Sequence, residues 1–182
     1  MLLETPTDEL GWDIKPFHLP DASGKEHGFH DAKSPKGRVI AFICNHCPYV
    51  KAIADRMTED FAALMDQGIE VYAVNSNDFS YVPEDSPPRM IEFAKKHGFT
   101  FPYLVDQDQK IASTYGAVCT PDFFCFNADG KLAYRGRLDD ARLNDASARS
   151  TELLDAMLQI SATGETSAQQ MPSMGCSIKW RH

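Results

Sequence analysis

The sequence predicts an α/β domain built on a central mixed sheet flanked by helices. Two short apolar runs rich in β-branched residues, at 38–43 and 69–75, have the length and pattern of buried strands. The helical stripe between them supplies a crossover, so these two strands run parallel. A glycine-bearing hairpin signal at 127–131 adds an antiparallel pair, which makes the sheet mixed.

Taken in order, Phe17-His18-Leu19-Pro20 alternates and then breaks at the Asp21-Ala22-Ser23-Gly24 turn, predicting an N-terminal hairpin at the edge of the fold. The run 38–43 leads straight into Cys44. From 48 to 66, Val50, Ile53, Met57, Phe61 and Leu64 recur at spacings of three and four, one stripe of a helix that Gly68 stops. The segment 77–86 is a polar loop. Ser86-Pro87 reads as the cap and first turn of a helix that ends near Gly98. A strand at 101–105 and a helix at 108–115, closed by Gly116, form a strand-helix insertion over 101–116. Residues 122–126 and 132–135 form the hairpin, and Leu153, Leu154, Met157 and Leu158 mark a closing helix within 150–160. No internal repeat is visible. All of 1–182 reads as a single domain, with 163–182 a tail packed on it.

The composition sets limits. At 182 residues and 43% apolar content, with 11 Phe and 6 Tyr, the chain can bury a core without staples. A net charge of −8 argues against nucleic acid and anionic membranes as partners. The first nine residues carry no basic stretch and no long apolar run, and the expected setting is the cytoplasm. There, five cysteines are poor material for a disulfide framework. Cys119, Cys125 and Cys176 read first as small buried residues.

Cys44-Asn45-His46-Cys47 is the exception. Two cysteines three residues apart at a helix start lie about one turn from each other, close enough to form a disulfide or share a thiolate charge. The helix N-terminus favours an anion, so Cys44, expected to be the more exposed, is expected to ionise more readily. His46 can tune that charge. Asn45 is a candidate N-cap and Pro48 a first-turn proline, which pushes Cys47 out of helical geometry. These features predict an enzyme that exchanges electrons with disulfides through the pair and needs no other cofactor.

The motifs 17–25, Phe42 to Val50, and Phe101 through Gly116-Ala117-Val118-Cys119-Thr120-Pro121-Asp122 resemble the thioredoxin-like redoxin superfamily, in its alkyl hydroperoxide reductase and thiol-specific antioxidant (peroxiredoxin-like) branch. The match spans residues 17–140. The resemblance implies a thioredoxin-like fold, a cis proline at Pro121, and an extended substrate segment received by the backbone of Thr120. It also implies Cys44 as nucleophile, Cys47 as resolver, and a dithiol reductant such as thioredoxin or glutathione. Two features depart from thioredoxin itself: no Trp precedes Cys44, and the strand 39–43 carries no acid to take a proton from Cys47.

Two alternatives follow from the same residues. In the peroxiredoxin branch Cys47 matches the peroxidatic cysteine, with Cys44 where a threonine is usual and Arg135 or Arg137 as the charge-stabilising arginine. Cys44, Cys119 or Cys176 would then condense with the sulfenic acid, Cys119 being the best placed. In a different class, Cys44, His46 and Cys47, with Cys119 as a fourth donor, could hold zinc or copper(I), although no second ligand pair at short spacing occurs.

Overall fold

The computed structural model describes residues 1–6 and 9–181; Thr7, Asp8 and the terminal His182 of the tail lie outside them. The central sheet grows from Arg38–Phe42 (β4), which pairs in parallel with Glu70–Asn75 (β5) and antiparallel with Asp122–Phe126 (β8). Tyr103–Val105 (β6) extends the sheet beside β5 and Leu132–Gly136 (β9) closes it beside β8, in the order β6-β5-β4-β8-β9. The mixed sheet, the parallel first pair and the terminal hairpin are as the sequence predicts.

Alternation along β4 explains why its run is continuously apolar. Val39 and Ala41, with Ile43 just beyond, enter one core, and Ile40 and Phe42 enter the other. The first core packs under the helix Pro48–Asp66 (α1), whose Val50, Ile53, Met57, Phe61 and Leu64 form the predicted stripe, and under Glu152–Thr163 (α4). The second is closed by the N-terminal hairpin, Phe17–Pro20 (β2) with Glu26–Phe29 (β3), and by the short helix Lys110–Tyr115 (α3). Pro87–Lys96 (α2) completes the helices, with Ser86 at its cap position but making no side-chain capping bond. In the β8–β9 turn, Gly130 adopts φ 77°, and a Cβ there would sit 2.6 Å from the Ala32 carbonyl oxygen, so only glycine closes this turn without displacement.

One sheet has no counterpart in the sequence reading. Leu2–Glu4 (β1) and Cys119–Thr120 (β7) flank Met174–Ser177 (β10), antiparallel on both sides. The tail is therefore a strap laid over the cysteine loop, held further by Ser173 Oγ donating to the Pro121 carbonyl at 2.8 Å. Among the described residues, no helix is long and apolar enough to cross a membrane.

Candidate active site

The cysteine loop is set by its neighbours in the chain. β4 delivers Cys44 at the end of a buried strand, and Pro48 starts α1 at once, which holds Cys47 extended at φ −67°, ψ 124°. Cys47, not Asn45, is thus the N-cap. The Asn45 side chain instead donates to the Glu84 carbonyl at 2.9 Å and accepts from the Tyr103 hydroxyl at 2.9 Å. The Thr120–Pro121 peptide is cis, as the resemblance implied. It brings Thr120 to both sulfurs: its Oγ1 lies 3.1 Å from Cys44 Sγ and its carbonyl 3.3 Å from Cys47 Sγ, accepting the thiol proton when Cys47 is neutral.

The acid missing from β4 comes from elsewhere. Asp85, at the end of the 3-10 turn Pro83–Asp85, is buried against the loop. Its Oδ1 accepts from the backbone N–H groups of Asn45 (2.7 Å) and His46 (3.3 Å), and its Oδ2 lies 2.6 Å from His46 Nδ1 and accepts from Asn77 Nδ2 at 2.8 Å. Burial opposes its charge, but the His46, Asn77 and Asn45 contacts prevail and hold the carboxyl below the ordinary value. His46 is fixed to a carboxylate and does not simply face solvent.

The expected order of ionisation is reversed. Both sulfurs are fully buried beneath the strap. Cys44 is pushed well up by burial, by its contact with Cys47 and by the Asp85 charge. Two of the loop amides that could serve a Cys44 thiolate are turned to Asp85. Cys47 is lowered to about 5: the Cys44 thiol donates to it, as do the Cys176 thiol, the Cys176 N–H and the Val50 N–H of the first turn of α1, and together they outweigh burial. The contacts of the pair thus favour the anion on Cys47 over the anion on Cys44.

The remaining candidates separate. Cys176 meets Cys47, whereas Cys119 does not take the place expected of it. Cys119 pairs with Ser177, one position off Thr120 and so on the other face of the strand, and its thiol donates weakly to the Pro121 carbonyl at 3.9 Å. Burial and Asp122 raise it to about 12. Arg137 makes a bidentate pair with Glu152 at 2.7 Å, and Arg135 one with Asp122 at 2.7 and 3.1 Å, so each candidate arginine spends its charge on a carboxylate. Among the described residues, the group of three possible metal ligands whose donor atoms all lie within 4.8 Å of one another is Cys44, His46 and Asp85; Cys47 is not in that group. Asp85, Asn77, Tyr103 and the strap are the site elements that sequence reasoning missed. Nothing sets Asp85 apart from its polar loop neighbours Asp78 and Glu84 until the fold brings it to Asn45.

Known proteins share this architecture. An uncharacterised conserved protein from Geobacillus kaustophilus superposes with a TM-score of 0.91 at 40% identity, covering 100% of this chain and 97% of its own. The thiol-disulfide oxidoreductase ResA of Geobacillus thermodenitrificans is 29% identical over 124 residues, 68% of this chain and just under two thirds (66%) of the relative. A secreted Mycobacterium tuberculosis disulfide oxidoreductase homologous to E. coli DsbE shares the fold at TM-score 0.60 and 21% identity, over 79% of this chain and 94% of its own. Residues 10–135 match the model of the AhpC/TSA family, and with most of its length inside that match the chain belongs to the AhpC/TSA family of the thioredoxin-like superfamily.

Proposed function

We propose that the chain is a thiol-disulfide oxidoreductase in which Cys47 attacks a substrate disulfide and Cys44 resolves the product. The observation that carries this is the convergence of donors on Cys47 beside Thr120, while the amides of Asn45 and His46 are given to Asp85. A substrate segment that replaces the strap against Thr120 brings its sulfur to the place of Cys176, directly over Cys47. The Cys47 thiolate bonds to one substrate sulfur as the other leaves as a thiolate and takes up the proton of Cys44. Cys44 then attacks Cys47, the mixed disulfide breaks, and the second substrate sulfur departs. Two electrons have passed to the substrate, and the pair is left as a disulfide. A dithiol such as thioredoxin, or glutathione, restores it, and no cofactor beyond the pair is used. The buried thiols of Cys119 and Cys125, which pack as core residues, support the cytoplasm as the setting, which cell fractionation tests.

One observation favours a second reading: the low value of Cys47, at the position that matches the peroxidatic cysteine, suits a peroxiredoxin-like antioxidant activity. The engagement of Arg135 and Arg137 by carboxylates weighs against it. The test offers reduced protein insulin disulfides and, separately, limiting hydrogen peroxide beside free glutathione at equal thiol concentration. Catalytic insulin reduction with thiol loss to peroxide no faster than the glutathione control is expected. Peroxide consumption far above the control, confined to Cys47, with no insulin turnover, would replace the first reading by the second.

A further inference from the structure

The strap is a substrate-like segment that the chain carries itself. Cys176 stands opposite Thr120 in antiparallel register, and both its N–H and its thiol are directed at Cys47 Sγ. Gly175 lies so close to the Thr120 carbonyl that no side chain fits there, which lets the strap press down on the loop. The two sulfurs of the pair are fully buried, while Cys176 is only half-buried and packs on the core cluster that contains both. A partly exposed cysteine is thereby held against a fully buried one.

We propose that Cys176 is a third redox cysteine, which takes the disulfide over from the buried pair as a Cys47–Cys176 bond and presents it at the surface to a dithiol reductant. This rests on the disulfide-exchange reading of Cys44 and Cys47. In the oxidised protein the docked Cys176 gives up its proton and attacks Cys47. The Cys44–Cys47 bond breaks, the Cys47–Cys176 bond forms, and Cys44 leaves as a thiolate that takes up the proton, with no net oxidation. One thiolate of the reductant then attacks Cys176, and Cys47 departs as the anion its donors already stabilise. The second thiol of the reductant displaces Cys176, so both electrons come from the dithiol and its own disulfide is the product. In the reduced protein burial and the neighbouring Cys47 raise the Cys176 thiol to about 11. Once Cys47 is tied in a disulfide its charge is gone, while Lys179 continues to favour the Cys176 anion.

Tryptic peptides separate the cysteines: 39–51 holds Cys44 and Cys47, 111–131 holds Cys119 and Cys125, and 150–179 holds Cys176. Reduced full-length protein is treated with one equivalent of diamide, quenched in acid, alkylated and mapped without reduction. Peptides 39–51 and 150–179 joined through Cys47 and Cys176 are expected. An internal disulfide within 39–51 and no joined species overturns the inference and leaves the oxidoreductase reading standing, whereas no disulfide at Cys44 or Cys47 overturns both. As a second measurement, oxidised Cys176→Ser is reduced by reduced thioredoxin, and a rate lower by about tenfold is expected from loss of the accessible sulfur. A rate equal to that of the unsubstituted protein overturns the surface route.

Discussion

Cys176 and Thr120 face each other across an antiparallel pair, so the chain's own tail fills the place at which the residue before the cis proline would receive a substrate. Access to the cysteine pair is therefore set by the seating of the strap, and that seating depends on one close approach.

A Cβ at Gly175 would overlap the Thr120 carbonyl and press on Pro121 Cδ at 3.1 Å. Gly175→Ala should lift the strap, at a cost of roughly 1–3 kcal/mol typical of overpacking. Iodoacetamide labelling followed by mass spectrometry is expected to find Cys44 and Cys47 modified much faster than in the unsubstituted protein.

The ionisation of the pair gives a pH dependence with a definite sign. Cys47 falls from an ordinary 9.0 to about 5 in the folded, reduced chain. A depressed value stabilises the fold fully above the unfolded value and is lost as pH falls through the folded one. Reduced protein should therefore lose stability relative to the oxidised form between about pH 9 and pH 5. Ultraviolet thiolate absorbance should titrate with a midpoint near 5, and thermal melting of both redox forms across that window checks the linkage.

Asp85 links the cysteine loop to the polar loop that precedes α2. Asp85→Asn keeps one oxygen for the amides of Asn45 and His46 but sets an NH2 group against the buried Asn77 Nδ2 donor, and should cost about 1–3 kcal/mol through a buried donor left without an acceptor. It also removes a charge that disfavours a Cys44 anion. The thiolate titration is then expected to show Cys44 ionising at lower pH than in the unsubstituted protein, a change that a purely structural acid would not produce.

Tyr103 carries a smaller share of the same support. Its hydroxyl donates to Asn45 Oδ1 at 2.9 Å in a buried setting, and Tyr103→Phe should cost about 1–2 kcal/mol in denaturant unfolding.

Much of this architecture is legible in the chain because it rests on local pattern. The double-sided burial of Val39 to Phe42, the stripe from Val50 to Leu64 and the Asn127-Ala128-Asp129-Gly130 turn are each written within a few residues. The cysteine pair and the neighbouring proline were legible for the same reason. What stayed hidden depends on contacts distant in sequence. Asp85 meets Asn45 across 40 positions, and β10 finds Thr120 across more than fifty, with too few residues in Met174–Ser177 to show an alternation. The reversed ionisation of Cys44 and Cys47 comes from the burial of Cys44 and the thiol contact within the pair, to which these two contacts add, since helix position alone favours the first cysteine.

The roles of the two cysteines are tested most directly by trapping. Cys44→Ser and Cys47→Ser proteins, each also carrying Cys176→Ser so that no third thiol can release an adduct and each reduced, are mixed with insulin, quenched in acid and mapped for mixed disulfides. Cys44→Ser is predicted to accumulate a stable adduct on Cys47, because the attacking sulfur remains and the resolving one is gone, and Cys47→Ser to form none. An adduct on Cys44 in Cys47→Ser, with no adduct in Cys44→Ser, would contradict the account.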